Sequence, residues 1–185
     1  MTAHTFDLAM RVRFRGQDRR RGMLLSGPAG WGEFSPFPEY DARVASRWLA
    51  AAHEAANDGW PAPVRTRIPV NTTVPAVGPE QAHAMVAASS CTTAKVKVAE
   101  PGQTLANDIA RVEAVRDALG RGGLIRVDAN AAWSLDEATA ALTELAQFTL
   151  EYAEQPVESL QDMAALRRRV DVRLAADESV RNAED

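Results

Sequence analysis

The chain has 185 residues, 46% hydrophobic and 25% charged, with a formal net charge of −4; it is long enough to bury a core without staples. One cysteine, Cys91, excludes a disulfide framework and a cysteine-rich zinc site, and the scattered His4, His53 and His83 give no histidine metal centre. The acidic balance argues against a nucleic-acid partner, and no apolar run is long enough to span a bilayer.

The opening MTAHTFDLAM has no basic region followed by an apolar stretch, so no signal peptide is expected and the cytoplasm is the expected location. Thr5 to Phe14 alternates apolar and polar residues, with Phe6, Leu8, Met10, Val12 and Phe14 on one face, and predicts a half-buried strand. A polar turn over Arg15–Gly22 then leads to a short strand over Met23–Ser26, the two strands reading as an antiparallel hairpin or meander. The run GPAGWGEFSPFPEYD reads as a loop. Asp41–Asn57 is alanine-rich and helical, with Val44, Trp48, Leu49 and Ala52 on one stripe, and Gly59-Trp60-Pro61 ends it.

From Ile68 the pattern repeats. Strands are predicted at 68–74, 93–98, 124–128, 149–153 and 172–176, and helices at 79–89, 104–119, 135–148 and 159–170. Such alternation signals βα units and a parallel sheet. Ser134 followed by Glu137 is a capping box that opens the third of these helices. The expected fold class is therefore α/β, with an α+β domain over 1–67 and a barrel-like domain over 68–185. A closed (β/α)8 barrel takes ~250 residues. Residues 68–185 hold only about five strands, which form either an open sheet or the front of a barrel.

Parallel α/β sheets build their sites at the C-terminal ends of their strands. Three successive strands end in Asp128 (VDANAAW), Glu154 (EYAEQP) and Asp177 (AADES), each one βα unit beyond the last. Each acid alone is expected as a solvated loop residue. Three on one rim repel one another unless a cation sits between them, and hard oxygens suit Mg²⁺.

One strand earlier, Lys95 and Lys97 lie two residues apart and share a face, about 6.7 Å apart along the backbone. Val96 and Val98 face the other way. The pair reads either as a solvated edge strand or as a functional pair. At ~6.7 Å and an effective dielectric of ~20, ammonium repulsion is ~2.5 kcal/mol and lowers one amine by nearly two pKa units, towards the range of a general base. A lysine base beside a carboxylate-bound Mg²⁺ suits removal of a proton α to a carboxylate, because fixed positive charge neutralises the enediolate.

KVK, VDAN, EQP and DES in strand order resemble the enolase superfamily. VDANAAWSLDEA, EYAEQP and GEFSPFPEYD are similar to its actinobacterial o-succinylbenzoate synthases of menaquinone biosynthesis. The resemblance spans the chain. It implies a capping domain over 1–67 followed by barrel strands one to five, and Asp128, Glu154 and Asp177 as Mg²⁺ ligands, with Mn²⁺ able to substitute. It implies Lys97 as general base and then acid towards the departing hydroxyl, and Lys95 as electrostatic partner. Asn130 orders the metal-bound carboxylate, and the loop with Glu33, Ser35, Phe37 and Tyr40 closes over the succinyl end of the substrate. Trp133 either lines the substrate pocket or packs under a loop. The family's further lysine belongs to a sixth strand that this sequence does not contain.

Three readings follow. The first is Mg²⁺-dependent dehydration of 2-succinyl-6-hydroxy-2,4-cyclohexadiene-1-carboxylate to 2-succinylbenzoate. The second is an N-acylamino acid or dipeptide racemase, which needs a second, opposed base. The third is a non-catalytic barrel piece with a structural or binding role. The partner is a small carboxylate, with no nucleic acid and no membrane, and the protein is a monomer or a homo-oligomer. Five strands with open edges and an inward face of charges are expected to aggregate, or fold only in part, when residues 1–185 stand alone.

Overall fold

The computed structural model describes residues 1–14 and 16–181. The chain divides into two compact units, Met1–Ile68 and Pro69–Asp185.

In the first unit, β1 (Thr2–Phe14), β2 (Gln17–Gly27) and β3 (Gly30–Phe34) form an antiparallel sheet in that order, followed by α1 (Ala42–Asn57). Two sequence expectations fail here. From Gln17 on, the polar run expected as a turn is the start of β2. Its arginines pair across the hairpin, with Arg19 Nε 2.7 Å and Arg21 Nε 3.1 Å from the Asp7 carboxylate on β1. Cross-strand charge pairs of this kind let a polar ribbon hold strand conformation. The glycine-rich run also contains β3. A Cβ at Gly32 would run into the Ala52 carbonyl of α1, so this glycine permits close strand–helix approach. Asp41 caps α1, its Oδ1 accepting from the Val44 N–H at 2.8 Å. The stripe predicted on this helix turns inward: Ala52 is buried and Leu49 packs against the same small cluster.

In the second unit, β4 (Thr72–Val74), β5 (Thr93–Lys97), β6 (Leu124–Asp128), β7 (Leu150–Glu154) and β8 (Leu174–Ala175) form a parallel sheet in sequence order. The helices α2 (Pro79–Ala87), α3 (Leu105–Leu119), α4 (Leu135–Leu145) and α5 (Leu160–Leu166) connect them. This is part of an α/β barrel. One face of the strands supplies Val74, Val96, Val127 and Ala153 to the core, where they meet Val86 of α2, Val112 and Val115 of α3, Leu142 and Leu145 of α4 and Leu166 of α5. The predicted capping box opens α4: Ser134 Oγ accepts from the Glu137 N–H at 3.3 Å, and Glu137 Oε2 accepts from the Ser134 N–H at 2.8 Å. The Ser134 hydroxyl, which donates to Glu137 Oε2 at 2.7 Å, and then the Ser134 N–H hold the Glu137 carboxyl below its ordinary range. β4 is shorter than the predicted 68–74, since Pro69 has no N–H for a ladder. The last turn of the predicted 135–148 helix is a 3-10 turn, Ala146–Phe148.

Candidate functional site

Register decides which side chains meet. Lys97 lies opposite Asp128, and Asp128 opposite Glu154, while one layer deeper Lys95 lies opposite Arg126 and Arg126 opposite Tyr152. Alternation along each strand puts these residues on the face away from the helices, opposite the face on which Val96 and Val127 are fully buried in the core.

The charges on this face are paired closely. Lys97 Nζ donates to Asp128 Oδ2 at 2.5 Å and to Asn130 Oδ1 at 2.7 Å. Lys95 Nζ lies 2.5 Å from Glu154 Oε1 and 2.9 Å from Asp128 Oδ2, so one ammonium bridges the two carboxylates. Asp128 is 0% exposed and Lys97 8%. Burial would push the Asp128 carboxyl up, but hydrogen bonds from Lys97 and Lys95 outweigh it and hold it below its ordinary range.

Lys95 corrects the expectation from like-charge repulsion. Burial pulls its amine down, yet the hydrogen bonds to Glu154 and Asp128 win and raise it above the ordinary lysine value.

The backbone at the rim is strained. Ala99 (φ 59°), Asn130 (46°), Ala131 (64°) and Gln155 (35°) adopt left-handed conformations just beyond the ends of β5, β6 and β7. At β6 the strain has a visible use. The Asn130 N–H donates to Asp128 Oδ1 at 3.0 Å, which fixes the carboxylate, while the Asn130 side chain reaches Lys97 on one side and Glu178 Oε1, at 2.9 Å, on the other.

Three residues in this region were not found from sequence. Gln155, 0% exposed, accepts through Oε1 from the Asp177 N–H at 2.7 Å, the Ser179 N–H at 3.2 Å and Ser179 Oγ at 3.0 Å, and so ties the segment carrying Asp177 to the end of β7. Its only signal was its place after Glu154. Arg126 lies in the layer beneath the acids. Its Nε is 2.6 Å from Glu151 Oε2, its Nη1 donates to Asn71 Oδ1 at 3.2 Å, and its guanidinium lies 5.0 Å from the centre of the Tyr152 ring. Glu151 is the extra residue of an irregularity where β7 slips against β6 between Ile125 and Arg126. Strict alternation along the sequence does not reveal such a slip.

Not every expected residue joins this cluster. Among the described residues, no three His, Cys, Asp or Glu side chains gather closely enough to hold a metal. Asp128 and Glu154 converge on one cationic head, and Gln155 holds the Asp177 backbone N–H at the neighbouring strand end. Trp133 packs half-buried against the core and lines a cleft with Pro101, Thr104, Glu137 and Ala140, to which neither lysine contributes. Within the first unit, Ser35 is buried and its Oγ donates to the Arg21 carbonyl at 2.6 Å. Phe37 lies under the Arg20 guanidinium and edge-on to Tyr40, and Glu33 stands exposed on β3.

The donor chemistry fits a hard divalent cation. Two carboxylates already converge on one positive group, and their candidate donor atoms are all oxygen.

The sheet order defines a partial α/β barrel with this acid–lysine rim at the C-terminal edge of its strands. The enolase C-terminal domain-like family matches residues 79–185, more than half of the chain, and the enolase N-terminal domain-like family matches residues 5–56. The chain belongs to the enolase C-terminal domain-like family. The o-succinylbenzoate synthase of Thermobifida fusca (strain YX) is 60% identical over 185 residues, which are 100% of this chain and 58% of that protein. That of Mycolicibacterium smegmatis is 54% identical, over 98% of this chain and 56% of the relative. The chain thus spans a little over half the length of the curated relatives it matches. Among solved structures, the L-Ala-D/L-Glu epimerase from Bacillus subtilis aligns with a TM-score of 0.77 at 21% identity, covering 97% of this chain and 67% of that one. The o-succinylbenzoate synthase from Thermosynechococcus elongatus BP-1, complexed with Mg in the active site, aligns with a TM-score of 0.61 at 21% identity, covering 97% and 68%. At such identities the likeness shows the fold.

Proposed function

We propose that a protein of the relatives' full length carrying this sequence is an o-succinylbenzoate synthase, a Mg²⁺-dependent hydro-lyase of menaquinone biosynthesis. The observation that carries the reading is the Lys97 amine, held between Asp128 Oδ2 and Asn130 Oδ1 at adjoining strand ends with a second lysine one layer below. The identity to curated o-succinylbenzoate synthases supports the substrate.

In this reading Lys97 takes the proton from the ring carbon that bears the carboxylate of 2-succinyl-6-hydroxy-2,4-cyclohexadiene-1-carboxylate. It returns that proton to the hydroxyl on the adjacent carbon, which leaves as water. The electron pair of the broken C–H bond becomes the last ring double bond, and aromatisation drives the step. Lys95 adds positive charge beside the developing enediolate. Asp128, Glu154 and Asp177 are the residues that would hold Mg²⁺, or Mn²⁺ in its place, and Asn130 orders Asp128. When bound, the metal supplies fixed positive charge opposite the substrate carboxylate, as superfamily sites generally do. Residues 1–67 act as the capping domain, with Glu33 on β3 and Ser35, Phe37 and Tyr40 beyond it as its substrate-binding residues, and Trp133 is a further substrate-binding residue. The partner is a small carboxylate in the cytoplasm. No helix among the described residues is long and apolar enough to cross a membrane.

The test is turnover by the full-length protein. With Mg²⁺, ultraviolet absorbance should report 2-succinylbenzoate formed from the dihydroaromatic acid, EDTA should abolish it, and added Mg²⁺ should restore it. Racemisation of an N-acylamino acid without dehydration would assign the site to the racemase reading instead.

A further inference from the structure

Behind the rim lies a buried ion pair that the reaction does not use directly. Arg111 and Asp108, one turn apart on α3, are 1% and 2% exposed. Arg111 Nη1 lies 2.8 Å from Asp108 Oδ1 and donates to the Lys97 carbonyl at 2.9 Å. Its Nε donates to the Val77 carbonyl at 2.7 Å, and its Nη2 to Gln103 Oε1. Asp108 Oδ2 accepts from the N–H of the strained Ala99 at 2.9 Å.

The need for this cation follows from the ladder. The Val98 N–H donates to the Asp128 carbonyl, so the backbone groups of Val98 point towards β6 and those of Lys97 towards β4. β4 has already ended at Val74, opposite Val96, and Ala76, whose N–H would continue the ladder to Lys97, lies outside the strand. The Lys97 carbonyl thus lies beyond the last strand donor on that side, and Arg111 supplies one.

A buried ion pair is a poor way to gain stability, since well-packed apolar residues of similar volume often do as well or better. Its geometry here is specific: one guanidinium and one carboxylate fix the two successive peptide units, 97–98 and 98–99, that follow the residue that carries the amine. We propose that the Arg111–Asp108 pair is a positioning device for Lys97, holding the end of β5 so that the amine stays aimed at Asp128 and Asn130. The inference rests on Lys97 as the proton-transferring residue.

The experiment uses the full-length protein with Arg111→Met, Arg111→Lys and Asp108→Asn. Misplacing a reacting group by ~1 Å can cost ~10²-fold in rate. Arg111→Met should lower kcat about 10²-fold while KM and the calorimetric Mg²⁺ affinity stay within about threefold of the parent. Arg111→Lys should recover about tenfold of that loss, because an ammonium can still reach the carbonyl. A second readout needs no turnover: acylation of the metal-free protein, read residue by residue by mass spectrometry. Lys95 and Lys97 are the only lysines of this chain, and the Lys97-to-Lys95 labelling ratio should change at least about threefold in Arg111→Met. An unchanged ratio with kcat within about threefold of the parent would overturn the proposal. If Arg111→Met does not fold, Asp108→Asn decides by the same two readouts, since it keeps the volume and an acceptor for Ala99. A parent without dehydratase activity would sink the functional reading, while the labelling ratio would still decide the positioning role.

Discussion

Replacing Lys97 with alanine in the full-length protein should lower kcat by about 10⁴-fold, the upper end of general acid–base contributions, because in the proposed reaction the same amine both removes and returns the proton. The register leaves no substitute at that point of the rim. Lys95 lies one layer deeper and bridges Glu154 and Asp128, and Arg126, opposite it, is engaged with Glu151. Mg²⁺ affinity should stay within about threefold of the parent, since the carboxylates remain. Turnover within tenfold of the parent would remove Lys97 from the mechanism. Stopped-flow absorbance with matched calorimetry gives both numbers.

Asp128→Asn should have the largest effect on both stability and metal binding. Asp128 is fully buried and its Oδ2 serves both lysines. Removing one partner of a buried pair costs about 3–5 kcal/mol, because the other charge stays buried and uncompensated. Urea denaturation of the metal-free variant should show a loss of that order, and Mg²⁺ affinity should fall by at least about 10²-fold. A variant as stable as the parent that binds Mg²⁺ equally well would mean that the rim acids are solvated loop residues.

The sequence was most informative where local pattern and position on the sheet coincide. Val96 and Val98 had to face the helices, so Lys95 and Lys97 had to share the other face, and Asp128 and Glu154 could be placed at strand ends from the spacing of the βα units alone. It was least informative where tertiary contact sets conformation. β3 hid behind glycines that exist so that α1 can approach, and the arginines of β2 looked like a turn until Asp7 was seen across the ribbon. The protonation of Lys95 could not be read from the KVK spacing. Spacing gives the repulsion between two amines but not the two carboxylates that the register delivers to them. Gln155 and Arg111 share this illegibility, because their roles lie in which backbone groups they meet on other strands.

The most direct test of the central claim, that the β5–β8 rim is a metal-assisted proton-transfer site with Lys97 at its reacting atom, is a crystal structure of the full-length protein with Mg²⁺ and 2-succinylbenzoate. Oxygens of Asp128, Glu154 and Asp177 should lie about 2.0–2.1 Å from the metal. Lys97 Nζ should lie about 3–3.5 Å from the ring carbon that bears the carboxylate. Metal or product seated away from these strand ends, or Lys97 turned from the ring with its contacts to Asp128 and Asn130 kept, would contradict the account.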